Sequence, residues 1–436
     1  MRLPVDVVRH ALAADAEFAL AARYWSAVVA LEMGAECYLL EVVEGEVAGF
    51  RDGRTSQPDI LLSGPDADWA EVLAVVPRAY FQDVLSGERF GFHKVRVQGD
   101  QLGAVFPYYH AIQRMIDVLR GALHDPGVTG AGLANAGESA ATVHDVDRVF
   151  DSAVGRYVYV RVAGTQYRVY FEEAGQGIPL LLQHTAGSDG RQFRHLLEDQ
   201  RLQQRFRMIS YDLPYHGKSN PPAGRRWWAE EYRLTLGFLI EFVTELSRVL
   251  GLDRPVFCGC SIGGLLAPDL AYARPDAFRA VIALNGMVKT GGNAPDQVMA
   301  RSWFDPKLAS DWHAAWMLGR TSPHSPEAYR RETGWYYSQA GPGVLRGDLD
   351  YYQNGHDLDG KLAGIDTAKC LVYVVAGEYD PSRIASFGAP QLAAGIPGAH
   401  YTVAEGAGHF MMSEDPERFR AQLGPILEEI AAAGAP

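Results

Sequence analysis

From about residue 156 onward the chain keeps repeating one pattern: a short apolar run, a polar or glycine-rich loop, then a segment of helical length. YVYVRV and YRVYFEEAG read as a hairpin, LLLQHTAG as a buried strand ending in a loop, and FRMISYDLPYHGKS as a strand followed by a Pro/Gly turn. FLIEFVTELSRVLGL reads as a helix that stops at Gly251, and VFCGCS, RAVIALNG, CLVYVVAGEYD and AHYTVAEGAGH supply further strands. Strands alternating with helices predict an α/β fold, a mostly parallel, doubly wound sheet covered on both faces. In such sheets chemistry gathers beyond the carboxyl ends of the strands, so the loops that close these runs hold the candidates.

One of those loops is Gly259-Cys260-Ser261-Ile262-Gly263, a GxSxG between an apolar strand and an apolar helical pattern. That context is what a nucleophile turn requires: the serine is exposed above the sheet, and flanking glycines let the chain approach its neighbours closely. A helix N-terminus after it adds free N–H groups where negative charge develops. A serine hydroxyl needs a base, and the base an orienting acid. Both follow in the chain order serine, acid, histidine. Asp380 lies in GEYDPSR after one strand and His409 in GAGHFMMSEDP after the last. Glu378 shares the acid loop; Asp380 is preferred because its position further along leaves it free to reach an imidazole. The backbone N–H groups of Ile262 and Ala186 are the expected oxyanion donors.

The first 122 residues have a different grain and read as a smaller α+β domain. Val5 to Met33 shows a long helical pattern, YLLEVVEGEVAGF two strands around a Glu44-Gly45 turn, DILLSG a further strand, and YYHAIQRMIDVLRGAL a closing amphipathic helix. Residues 123–150 are rich in Gly, Ala, Ser and Thr and read as a linker. The catalytic domain is then 151–436. Between 289 and 368 the alternation stops, and this aromatic, polar stretch is expected to form a helical cap. Its Trp303, Trp312, Trp316, Trp335, Tyr336, Tyr337, Tyr351 and Tyr352 together suit an apolar pocket, although each ring taken singly fits the core of the cap better. Trp316, Trp335, Tyr336, His184, Thr185 and Arg191 are the named candidates for substrate contact.

A net charge of −13 over 436 residues disfavours nucleic acid and anionic membranes as partners. No apolar segment reaches the ~20 residues of a membrane span. The first residues carry acids where an export signal would be apolar, so the expected compartment is the cytoplasm. Four cysteines give no disulfide framework. Cys258 and Cys260 read as small apolar strand residues rather than a metal pair, and no metal or organic cofactor is expected. A homo-oligomer is compatible with everything above.

Residues ~156 to 432 resemble the α/β-hydrolases, through QHTAG, DLPYHGKS, GCSIGG, GEYDP and GAGHF in that order. The resemblance implies acyl transfer to water from a bulky, apolar ester, thioester or lactone through an acyl-enzyme at Ser261. It also admits hydrolysis of a C–C bond beside a ketone, as in ring-cleavage-product hydrolases. Branches with a carboxylate nucleophile, the dehalogenases and epoxide hydrolases, are excluded by the serine. The family commonly has His-Gly at the oxyanion loop, whereas here Thr185 follows His184. Residues ~1 to 122 resemble sterol-carrier-protein-type lipid-binding domains, which implies a lipid-like ligand there. A reading of another class is a lipid-binding or scaffold protein with a silent hydrolase domain.

Overall fold

The computed structural model describes residues 1–124, 150–290, 297–305, 307–308, 310–341 and 343–433. The expected linker at 123–150 therefore lies, over 125–149, outside the described residues. The chain divides into two compact units, Met1–Ala141 with Asp305–Gly334, and Thr142–Phe304 with Trp335–Pro436. Of the cap expected over 289–368, the stretch Asp305–Gly334 groups with the N-terminal unit.

That unit is built on five strands, β1 (Ala27–Met33), β2 (Glu36–Val43), β3 (Glu46–Asp52), β4 (Ile60–Gly64) and β5 (Arg96–Gly99), in the order β3-β2-β1-β4-β5. β1 and β4 run parallel and the other pairs antiparallel. The helical pattern expected from Val5 to Met33 ends early. Helices occupy Val5–Ala14 and Ala16–Ala21, but Ala27–Met33 is the central strand. Its run AVVALEM is mostly buried, and a fully buried strand has no alternation to distinguish it from a helix. The closing helix Tyr109–His124 is tied to the first helices by Arg114, which donates to Asp15 from Nε at 3.0 Å and from a terminal nitrogen at 2.6 Å. A cavity of about 20 Å³ beside them is lined in part by Glu17, with which His110, Arg114 and Arg331 each pair.

The second unit carries β6 (Val154–Val162), β7 (Thr165–Gly175), β8 (Ile178–Gln183), β9 (Phe206–Tyr211), β10 (Val256–Cys260), β11 (Ala280–Leu284), β12 (Leu371–Gly377) and β13 (His400–Ala404). Their order is β13-β12-β11-β10-β8-β9-β7-β6. The six strands from β13 to β9 are parallel, and the β6–β7 hairpin closes the sheet antiparallel. β10 and β11 are buried at every residue, as strands covered on both faces must be. The chain reverses its direction of travel at β8, whose neighbours are β9 on one side and β10 on the other. The loop after β8 and the turn after β10 therefore open side by side at the switch point, with Gln183 in register with Gly259.

The helix Ile262–Ala273 leaves β10 so closely that side chains are excluded along its first turn. A Cβ on Gly264 would lie 2.1 Å from the Leu284 carbonyl oxygen, and one on Gly259 would lie 2.6 Å from the Gly263 Cα. Gly264→Ala should consequently lower stability by about 3 kcal/mol or prevent folding, whereas Gly424→Ala, whose Cβ would meet nothing within 4 Å, should be neutral or slightly stabilising in an equilibrium denaturation experiment.

Candidate active site

Ser261 sits at φ 57°, ψ −106°, a conformation that L-residues rarely adopt. Its own N–H donates to the Leu284 carbonyl at 2.9 Å, and its carbonyl accepts the first helical bond, from Leu265, at 2.8 Å. The helix thus begins at the residue after the serine, and the Ile262 N–H is one of its unsatisfied first-turn donors. Among the described residues neither that N–H nor the Ala186 N–H meets a protein acceptor, and both belong to the two loops at the switch point.

Asp380 and His409 are brought into direct contact, Asp380 Oδ2 against His409 Nδ1. The second Asp380 oxygen accepts from the Ser382 N–H at 2.8 Å, which turns the carboxylate toward the ring. Glu378 is occupied elsewhere: its carboxylate accepts the Gly406 N–H at 2.8 Å and braces the turn before His409. The backbone of His409 is fixed from the nucleophile side. Its carbonyl accepts from Cys260 Sγ at 3.1 Å and from Asn285 Nδ2 at 3.0 Å, while Asn285 Oδ1 accepts the Gly377 N–H at 2.8 Å. Asn285, itself at φ 54°, so joins the ends of β11 and β12 to the histidine loop. The Ser261 hydroxyl hydrogen-bonds the Tyr352 phenol at 2.5 Å.

A strand-ending serine turn at a switch point, followed by an acid and a histidine on the next strand ends, has a match among known proteins. Residues 180–422, more than half of the chain, match the model of the Alpha/beta hydrolase family. The chain belongs to this family. This hydrolase is 24% identical over 236 residues to an (E)-2-((N-methylformamido)methylene)succinate hydrolase of Acinetobacter baylyi, covering 50% of the chain and 77% of that protein. It is 28% identical to a 3-oxoadipate enol-lactonase of the same organism, over 36% of the chain and 49% of that protein, about half its length. Among solved structures, a thermophilic esterase from Thermogutta terrifontis superposes with TM-score 0.53 at 22% identity, over 63% of the chain and 99% of the esterase. The enol-lactonase from Burkholderia xenovorans gives 0.52 at 21% identity, over 62% of the chain and all of that protein. These two likenesses concern the fold.

In the loop after β8, Thr185 donates its N–H to Gln192 Oε1 at 2.9 Å, and its hydroxyl meets both Gln192 and the Tyr337 phenol. His184 is fully buried beneath it. Its Nε2 accepts the Leu213 N–H at 3.1 Å, so Nδ1 carries the proton and donates to the Thr185 carbonyl at 2.8 Å. Burial and the neighbouring His216 push its pKa down to about 4. With both nitrogens spent on backbone, His184 holds the loop. Gly187, next to Ala186, donates its N–H to Asp348 Oδ2 at 2.7 Å, and the same oxygen faces His216 Nε2 at 2.8 Å. Burial opposes charge on His216, but the Asp348 carboxylate and its hydrogen bond outweigh it and hold the imidazole above its ordinary value. On the far side of the loop Asp212 accepts the Gly190 and Lys218 N–H groups. Burial and then repulsion from Asp189 raise its pKa to about 7.

The remaining expected contacts are placed differently. Arg191 is held by Asp189 through Nε at 2.8 Å and a terminal nitrogen at 2.5 Å, so its charge is already neutralised. Its guanidinium also lies 5.1 Å from the ring centres of both Trp335 and Tyr336. Trp335 is 57% exposed and Tyr336 1%. Trp316 falls in the N-terminal unit, stacked 6.2 Å from Trp312. Sequence reasoning missed Asn285, His216 and Asp348. A polar residue directly after the run VIAL was a signal for the first; Asp348 and His216 gave none.

Asp380→Asn should cut hydrolytic turnover by roughly 10⁴-fold, while Glu378→Gln keeps the oxygen that accepts the Gly406 N–H and should retain near-wild-type rates when the two are assayed side by side. His216→Gln should destabilise the fold in a pH-dependent way. An imidazole whose folded pKa is raised contributes fully below its ordinary 6.5 and loses that contribution as pH rises through the folded value. The stability gap between wild type and variant, measured by denaturant titration, should therefore be widest in the acid range and narrow as pH climbs.

Proposed function

We propose that this hydrolase cleaves a carboxylic ester, thioester or lactone through an acyl-enzyme on Ser261. The observations that support the reading are the strained Ser261 turn and the Asp380–His409 pair, whose histidine carbonyl accepts from Cys260 Sγ, the residue before the serine. In this reading His409 takes the Ser261 proton as Oγ bonds to the carbonyl carbon. The Ile262 and Ala186 N–H groups receive the oxyanion. His409 then returns the proton to the departing alcohol or thiol, and water repeats the cycle on the acyl-enzyme. Asp380 keeps the imidazole in the tautomer that presents Nε2 as base.

The apolar character of the substrate is supported by the rings around the site. Phe410 lies edge-on to His409 with centres 4.8 Å apart, and Tyr337 lies 5.3 Å from Phe410. The Acinetobacter and Burkholderia proteins named as enol-lactonases agree with acyl chemistry on this fold. The cavity beside Glu17 and Arg114, about 20 Å³, is too small to hold a lipid and lends the lipid-like ligand no support.

A fluorophosphonate should label the wild-type protein on Ser261 and leave Ser261→Ala unlabelled. His409→Ala should fold normally and lose roughly four to six orders of magnitude in ester turnover. Labelling that persists in Ser261→Ala would remove the nucleophile assignment.

A further inference from the structure

Ser261 Oγ is met by a group that the acyl-transfer scheme does not use, the phenol of Tyr352 at 2.5 Å. Tyr352 belongs to the turn Tyr351–Gly355 that follows the helix Val344–Asp350. That turn is anchored independently of the Tyr352 hydroxyl. Tyr351 donates its phenol proton to Asp269 Oδ2 at 2.5 Å, and the same oxygen faces His356 Nδ1 at 2.8 Å. His356 Nε2 donates to the Met287 carbonyl at 2.9 Å, and the Thr290 hydroxyl donates to the Tyr352 carbonyl. Asp269, Tyr351 and His356 are all buried. Asp269 lies on the helix that begins at Ile262, about 10 Å along its axis at 1.5 Å per residue. One rigid element therefore positions both the serine and the turn that sets a phenol on its oxygen.

We propose that Tyr352 is a catalytic residue of this site, a third donor to the oxyanion of the tetrahedral centre built on Ser261; the proposal rests on the serine reading above. A phenol can donate as well as accept. Oxygens bonded to one carbon lie closer together than a hydrogen bond is long, so an oxyanion formed on the Tyr352 side of Oγ lies within reach of the phenol, whose hydroxyl proton turns toward it. As the Oγ–C bond forms, the Ser261 proton passes to His409 and the carbonyl π pair becomes the oxyanion. Tyr352 shares its proton with that oxygen and keeps it. When the carbonyl re-forms, the bond to the leaving group breaks, His409 protonates the leaving group, and the phenol returns to Oγ. Nothing is gained or lost at Tyr352 over the cycle. The donor strengthens only as charge develops, so its contribution belongs to kcat and not to binding.

The test uses the full chain and a fluorophosphonate, whose attack by Ser261 builds the same kind of oxyanion without requiring a known substrate. Tyr352→Phe removes one oxygen and leaves every anchor of the turn in place. The variant should melt with the wild type and reach the same final labelling stoichiometry. Its maximal inactivation rate should be about 10²-fold lower, with the half-saturating probe concentration unchanged. Equal inactivation rates would overturn the role of Tyr352, and so would a loss confined to the half-saturating concentration, which marks a mere binding contact. A wild-type protein that takes no label would overturn the serine reading itself, and that outcome is separable because it appears before any variant is made.

Discussion

The structure turns on the backbone of Ser261. A non-glycine residue at φ 57°, ψ −106° costs about 1–3 kcal/mol and persists only where its surroundings over-determine it. Here the surroundings are the close approach of the helix Ile262–Ala273 to β10 and β11, which the missing side chains at Gly259, Gly263 and Gly264 permit. The helix is buried from Ile262 to Ala271, including Leu265, Leu266 and Leu270. Burying each leucine is worth about 1.5–3 kcal/mol, enough together to offset one strained residue. The strain aims a hydroxyl away from the sheet and leaves the first helical N–H pointing at the space beside it.

Three loops must then be held around that hydroxyl, and each is held by side chains acting on backbone. Asn285 fastens the ends of two strands to the His409 carbonyl, Glu414 accepts the Gly408 N–H, and Asp348 accepts the Gly187 N–H. His184 bonds the backbone of its own loop at Thr185 and of the loop after β9 at Leu213. In a buried setting an unpaired polar group is costly and a satisfied network is stiff, so these bonds fix loop shape without apolar packing. His184 and Arg191, named from sequence as candidate contacts, both make hydrogen bonds within the loop after β8, His184 to backbone and Arg191 to Asp189.

The strands of the second sheet were legible because each is an apolar run closed by a glycine or a polar loop, and the chain order of serine, acid and histidine is local text. What failed was either local ambiguity or long-range pairing. Ala27–Met33 reads equally as helix or strand until its two neighbours are known. Within one loop the sequence favours Asp380 over Glu378, and the contacts that distinguish the two, Asp380 with His409 and Glu378 with the Gly406 N–H, both come from another strand's end. His216 and Asp348 meet across 132 residues, and nothing in either neighbourhood announces the other. Tyr352 was visible as one of eight aromatic residues, but periodicity cannot say which ring reaches a reacting atom.

The contact at Tyr352 also bears on how such a site changes its substrate. The sheet, the serine turn and the acid–histidine pair depend on one another through the core, so substitutions there disturb folding first. The segment Val344–Gly355 meets the helix Ile262–Ala273 through the buried Asp269 cluster, a polar junction of three side chains. Residues of that segment away from the junction can vary in shape without altering the serine's backbone. Junction and serine share one helix, so the placement of the turn Tyr351–Gly355 and of Ser261 is coupled through Asp269, which meets Tyr351 and His356.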